Sequence, residues 1–263
     1  MEVSEKSEKN CKEDGSACHR LIQQKAYYTG LISKSCHEMR NSLTLIASSL
    51  QLLEKEHPGV RKSSLWPQIK QDIQDVLSML HDLSSINHSG KLNRVRFPVV
   101  SFLSEIRTSF LPLMKERGVS FDLLADDSLD SVTVSADKRK LREAISNLLL
   151  NALDAAASSE TTSVKNSAAG VVRLSAHFDG TDLSIHVIDN GPGIPDEYLP
   201  TLFDPFVTHK PHGTGLGLGI ARSIINSHSG SISVSTHAEK PETYTDFCLR
   251  LPASPAKSEG KTR

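Results

Sequence analysis

The sequence predicts an α-helical hairpin that pairs into a dimeric four-helix bundle, followed by an α+β domain whose mixed sheet is covered by helices on one face. Two observations carry this. Apolar residues recur in alternating steps of four and three from Ile32 to Leu53 and again from Ile69 to Leu83, the spacing of a coiled-coil seam. Past residue 90 the pattern changes to short β-rich runs alternating with helical ones, which marks a second, α+β domain.

Residues 1–18 are rich in Glu, Lys and Ser and nearly free of large apolar groups, a composition that predicts disorder. The first domain occupies 19–90. Its first helix is expected from about Arg20 to Glu56, with Ile32, Cys36, Met39, Leu43, Ile46, Leu50 and Leu53 along the seam. His57-Pro58-Gly59 stops it, because Pro and Gly do not continue a helix. The second helix is expected from about Ser64 to His88, with Ile69, Ile73, Val76, Leu80 and Leu83 on its apolar stripe. Two amphipathic helices cover little surface with only each other, so two hairpins are expected to join as a homodimer.

The polar linker Ser89–Arg96 leads into a second domain at 91–252. Strands are expected at 94–99, 119–124, 132–135, 171–178, 183–189, 231–236 and 244–251, and helices at 101–117, 137–157 and 217–229. A polar insertion lies at 158–169, and 253–263 reads as a disordered Ser/Lys/Gly tail.

A formal net charge of -1 offers no general basic field for nucleic acid or anionic lipid. No run approaches the roughly 20 apolar residues of a membrane span, and Met1–Gly15 has no signal-peptide apolar region. The expectation is a soluble, cytoplasmic chain whose partners are proteins or small ligands. Cys11, Cys18, Cys36 and Cys248 show no disulfide framework.

Four stretches carry chemistry. His37 and Glu38 lie beside the first seam, with Asn41 one turn on. An imidazole is nucleophilic near neutral pH, and a neighbouring carboxylate can take up its proton; taken alone, such a pair is equally a solvated helix surface. Asn147 and Asn151 lie one turn apart on a helix whose other face is apolar. Their oxygens suit Mg²⁺ and phosphate, although a plain polar stripe has the same pattern. Asp189-Asn190-Gly191-Pro192-Gly193 ends a strand in an acid and a tight turn: glycine admits a flat ligand closely, and the carboxylate can accept a hydrogen bond from an exocyclic amine. His212-Gly213-Thr214-Gly215-Leu216-Gly217-Leu218-Gly219 runs into a helix, and its amides suit an anion. Lys210 can supply a cation to the phosphates.

The ordered set His37-Glu38-x-x-Asn41, Asn147-x-x-x-Asn151, Asp189-x-Gly191-x-Gly193, Phe203-x-x-Phe206 and Gly213-x-Gly215-x-Gly217 resembles the five boxes of two-component sensor histidine kinases, over roughly Lys34 to Pro252. The resemblance implies a dimerisation and histidine-phosphotransfer hairpin followed by a GHKL-type (Bergerat) ATP-binding domain, of the kind shared with gyrase, Hsp90 and MutL. It makes His37 the phosphoacceptor, Glu38 its acid/base partner, and Asn41 a residue that orients water for phosphatase action. Asp189 would bind adenine, Asn151 would hold Mg²⁺, and Asn147 would support the phosphates. Gly191, Gly193, Lys210, Gly213, Thr214, Gly215, Leu216, Gly217 and Leu218 would complete the ATP site. Phe203 and Phe206 would anchor the lid, whose short span looks most like that of nitrogen-regulatory-type kinases.

The implied reaction is ATP-dependent phosphorylation of the histidine and transfer to an aspartate of a response-regulator receiver domain, with input from an upstream sensory protein. The alternative is a dimeric nucleotide-binding adaptor without turnover. Hydrolysing members of the superfamily carry Glu where Asn147 stands, and an amide is a poor base, which favours the histidine over water. Two positions depart from the resemblance: Ser42 replaces a usual helix-bending Pro, and Asp154 replaces a Lys that many members carry.

Overall fold

A computed structural model describes residues 34–36, 38–87, 92–158, 170–210, 213–238 and 243–255. The expectations for 1–33, His37, Gly90, the insertion at 159–169, His212 and 256–263 lie outside the described residues. The chain forms two compact units, residues 1–88 and 89–263.

The first unit is an antiparallel pair of helices. Helix α1 is described at 34–36 and 38–56, a 3-10 turn follows at Pro58–Lys62, and helix α2 spans Leu65–Asn87. Pro58 opens the turn, where its missing N–H is no loss. Arg40 donates to the Leu80 carbonyl at 3.3 Å, and Glu54 pairs with Arg61 at 2.7 Å and Lys70 at 3.3 Å, so the two ends of the hairpin are tied. The Ser42 hydroxyl donates to the Glu38 carbonyl at 3.1 Å, and the helix runs on unbroken.

Burial along the two stripes is uneven. Cys36, Trp66 and Leu80 are buried, whereas Met39 is 56% exposed, Ile46 48%, and Leu53, Ile69 and Val76 stay open as well. Trp66 extends the second seam by one further step of three ahead of Ile69. The hairpin alone therefore covers only part of its own apolar surface.

The second unit is an α+β sandwich. Its elements are β1 (Val95–Pro98), α3 (Val99–Glu116), β2 (Ser120–Ala125), β3 (Val132–Ala136), α4 (Lys138–Ser158), β4 (Val171–Phe178), β5 (Asp182–Asp189), α5 (Gly217–Ser227), β6 (Ser231–His237) and β7 (Tyr244–Pro255). The described strands form one mixed sheet in the order β1-β3-β7-β5-β4-β2, with β6 also beside β7. The pairs are antiparallel except β2 with β4. Alternation sends Val172 and Leu174, Leu183, Ile185 and Val187, and Phe247, Leu249 and Leu251 into the core. There they meet the buried faces of α4 (Leu141, Ile145, Leu148, Leu149, Leu153) and α5 (Ile220, Ile224, Ile225).

Helix α4 starts where Asp137 accepts from the Lys140 amide at 3.2 Å, an N-cap. The other Asp137 oxygen accepts from the Asn93 amide at 3.1 Å, which fixes the entering chain. Two short 3-10 helices, Asp127–Ser131 and Asp196–Thr201, are not evident in the sequence pattern. The expected tail needs correction: residues 253–255 belong to β7, pairing Ala253 with Val134, Ser254 with Thr133 and Pro255 with Val132. Their composition is poor for a strand, but β3 offers an open ladder and the backbone takes it.

Candidate functional site

The site is built on one face of α4. Asn147, Asn151 and Asp154 succeed one another at steps of four and three, so they share that face. Asn147 has a buried Nδ2 with no hydrogen-bond partner among the described residues, and Gly217, at the start of α5, packs against its side chain. An orphaned amide is a donor waiting for an acceptor, since a buried N–H is costly to leave unpaired. Asn151 and Asp154 both bind Lys210: Nζ lies 3.0 Å from Oδ1 of Asn151 and 3.0 Å from Oδ2 of Asp154.

Asp189 ends β5 and is only 3% exposed. Burial pushes its carboxyl up to about 7, against the opposing pull of the Gly191 amide and of Lys210. Gly191 donates to its Oδ1 at 2.9 Å. A Cβ on Gly191 would come within 2.7 Å of the Ala155 Cβ on α4, so glycine is required for the turn to close on that helix. Gly193 sits beneath the His237 carbonyl, and Ile194 donates its amide to Thr236 at 2.9 Å.

The described residues of Asp196–Lys210 and Gly213–Leu216 close on one another. Phe206 donates its amide to the Gly215 carbonyl at 2.9 Å. Gly215 has φ +67°, and a Cβ there would meet the Phe206–Val207 backbone at 2.6 to 2.8 Å, so only glycine fits. Gly213 lies against Thr208, Tyr198 stacks on His209 at 3.6 Å, and Leu216 donates to the Thr214 hydroxyl at 3.3 Å. Leu216 is buried and Leu218 half-buried. The N-terminus of α5 carries no side-chain cap, which leaves its first amides suited to an anion.

Phe203 makes a T-shaped contact with Phe247 at 6.3 Å, and the Arg222 guanidinium lies over the Phe203 ring at 5.6 Å. Phe206 does not follow the expectation of a second anchor. It is 65% exposed with φ 67°, because the backbone turns left-handed there to reach Gly215.

Asn151 offers a hard side-chain oxygen that fits Mg²⁺, which takes one or two protein oxygens and completes its shell with water and phosphate. Among the described residues no cluster of three His, Cys, Asp or Glu forms a protein-only metal cage.

Residues 136–255 match the family described as histidine kinase-, DNA gyrase B-, and HSP90-like ATPase. The chain is 31% identical over 264 residues to the sensor histidine kinase RcsC of Salmonella typhimurium, covering 94% of this chain and 25% of that protein. It is 28% identical over 255 residues to the sensory histidine kinase/phosphatase NtrB of Rhizobium meliloti, covering 92% and 62%. Full-length ShkA, in a complex with AMPPNP, has the same fold at a TM-score of 0.70 and 22% identity, over 86% of this chain and 46% of that one.

Residues 136–255 are thus a histidine kinase-, DNA gyrase B-, and HSP90-like ATPase domain, and the relatives that match along most of the chain are sensor histidine kinases. The chain spans about a quarter of the length of RcsC. The structure brings Asn147, Asn151, Asp189, Gly191, Lys210 and Gly217 around α4. Glu38 and Asn41 are exposed on α1 of the first unit, and His37 lies outside the described residues.

The roles of two residues of this site are not evident in the sequence, although Asp154 stands out there as a departure from the resemblance. Asp154 binds Lys210, and its place three residues after Asn151 was the available signal. Thr245 is buried and directly opposite Asp189 in the register of β5 and β7, with its hydroxyl 3.4 Å from Thr236; only the strand pairing reveals it.

Proposed function

We propose that the chain is an ATP-dependent protein-histidine kinase that phosphorylates His37 and passes the phosphoryl group to an aspartate of a response-regulator receiver domain. The single observation that carries the reading is the buried Asp189 carboxylate, set across from Thr245 and followed by a Gly191 turn that closes on α4, the helix bearing the unpaired Asn147 amide. A buried acceptor beside a glycine turn suits the exocyclic amine of adenine. Gly191 and Gly193 shape the turn beneath the ring. Lys210, Thr214, Gly213, Gly215, Leu216, Gly217 and Leu218 then surround the phosphates, with the α5 N-terminus behind them.

Asn151 would hold Mg²⁺, which supplies charge neutralisation along the triphosphate. The chain's own groups supply the positioning. Attack by a ring nitrogen of His37 forms the P–N bond as the bond between the γ-phosphorus and the bridging oxygen breaks. ADP leaves, and Glu38 takes the imidazole proton. Asn147 is no base, so it gives water no comparable activation.

Several further features belong to the same reading. The exposed Met39, Ile46, Leu53, Ile69 and Val76 support a homodimer in which two hairpins form a four-helix bundle. The exposed Asn41, close to Glu38 on α1, supports a phosphatase role towards the phosphorylated receiver domain. No described helix is long and apolar enough to cross a membrane; we assign the chain to the cytoplasm, driven by an upstream sensory protein.

Incubation with γ-labelled ATP and Mg²⁺ tests the reading. Label should be acid-labile and alkali-stable, and His37→Gln should remove it. Acid-stable label would refute the kinase assignment. Tight nucleotide binding with no label on the wild-type chain would instead make it an adaptor without turnover.

A further inference from the structure

The Lys210 ammonium sits 3.0 Å from the Asn151 oxygen and 3.0 Å from the Asp154 carboxylate. It thus takes up the side-chain oxygen of Asn151 that the proposed function assigns to the metal. One carbonyl oxygen can accept from an ammonium or coordinate a divalent ion, but two cations do not share it comfortably at contact distance. The second partner explains why Lys210 rests there. Asp154 supplies the formal charge, and its position three residues along α4 puts that charge on the same face as Asn151. On its own, the neutral Asn151 would hold an exposed lysine weakly.

We infer that Asp154 is a positioning residue whose carboxylate latches Lys210 onto Asn151, so that Lys210 has to be released before metal and nucleotide can occupy the site. The inference rests on the nucleotide reading above. It makes loading an exchange of cations at Asn151: the ammonium leaves, the divalent ion enters with the triphosphate, and the freed lysine becomes available to the phosphates. The pair is half-exposed, at 42% and 52%, so the latch is weak. Breaking an ion pair of this kind is worth about two- to fivefold in an equilibrium.

The test is calorimetric titration of the full chain with AMPPNP, with Mg²⁺ and with EDTA, together with amide exchange over residues 203–210 in the nucleotide-free protein. Asp154→Asn should bind the Mg²⁺ complex of the analogue about two- to fivefold tighter and should speed exchange over 203–210. Asp154→Glu, which keeps the charge, should behave as wild type. On a Lys210→Met background the gain from Asp154→Asn should vanish.

A gain that persists or grows without Lys210 would overturn the latch, because Asp154 would then merely repel phosphates. Weaker binding of the Mg²⁺ complex by Asp154→Asn would overturn it too, by making Asp154 a metal ligand. Unchanged affinity and exchange would show the ion pair to be idle. If the wild-type chain bound no AMPPNP at all, the nucleotide reading itself would fail, a result separable from the other three.

Discussion

The Nε2 atom of His228 accepts a hydrogen bond from the backbone amide of Asp137 at 2.9 Å, joining the end of α5 to the first residue ahead of α4. With Nε2 an acceptor, Nδ1 must carry the proton, and it donates to the Ile224 carbonyl at 2.8 Å. The ring is 2% exposed. It is a buried neutral imidazole locked in one tautomer, on the helix pair that carries the site.

Burial holds His228 below the usual imidazole range. The unfolded chain takes up that proton near pH 6.5 while the folded one resists, so the second unit should lose stability as pH falls below about 6.5. His228→Leu should abolish this part of the acid dependence. At pH 8 it should cost about 1–3 kcal/mol, because the Asp137 amide is left without an acceptor. Urea unfolding of the two chains across pH checks both; parallel pH profiles would contradict the assignment.

Asp189 has the opposite sign of pH dependence. Its carboxyl titrates near 7 rather than 3.8, so without nucleotide the folded unit holds a proton that the unfolded chain has already lost. Stability should decline as pH rises from about 4 to about 7, by on the order of 4 kcal/mol for a shift from 3.8 to about 7. Asp189→Asn should flatten that decline.

Nucleotide affinity should also track this group. Only the carboxylate is a pure acceptor for an exocyclic amine, so affinity for an ATP analogue should fall as pH drops below about 7. Asp189→Asn should bind about tenfold more weakly or worse, as expected for one unmatched buried polar pair. Titration at pH 6 and 8 reads this directly, and equal affinity at both would count against adenine at Asp189.

Gly215→Val should damage the glycine-rich loop ahead of α5 selectively. Its φ of +67° is costly for a β-branched residue, and the new side chain would collide with the Phe206–Val207 backbone. The expected outcome is at least about a tenfold loss of analogue affinity, equivalent to roughly 1.4 kcal/mol, with far-UV circular dichroism unchanged. Retained affinity would mean that the loop reshapes freely.

The open apolar side chains of the hairpin give a prediction about assembly. Ile46 and Val76, both exposed in the single chain, should become buried between two hairpins. Replacing both with Asp should convert a dimer to a monomer by light scattering at micromolar concentration. A wild-type monomer would remove the basis for the bundle.

The strands and helices of the second unit were legible because their alternation and periodicity are strong; β4 lies at Val171–Phe178, where the pattern put it. The face of α4 was legible because Asn147 and Asn151 are rare choices at helical spacing. Asp154 was not, because its meaning comes from a lysine 56 residues away. Thr245 needed the register of β5 against β7. Phe206 misled because a phenylalanine in a motif reads as packing, whereas its positive φ follows from the hydrogen bond to Gly215. Trp66 falls on the extrapolated second seam, and its burial marks where the two helices close near their turn.

Strand β7 continues through Pro255, and among the described residues its final three positions form the backbone seam between the β1–β3 ribbon and the rest of the sheet. A chain terminated at Pro252 would lose that ladder, and among the described residues no strand pairing would then join the ribbon to the rest of the sheet. Where the domain is cut is therefore a structural decision: a few small residues that resemble a dispensable overhang determine whether its margin stays zipped.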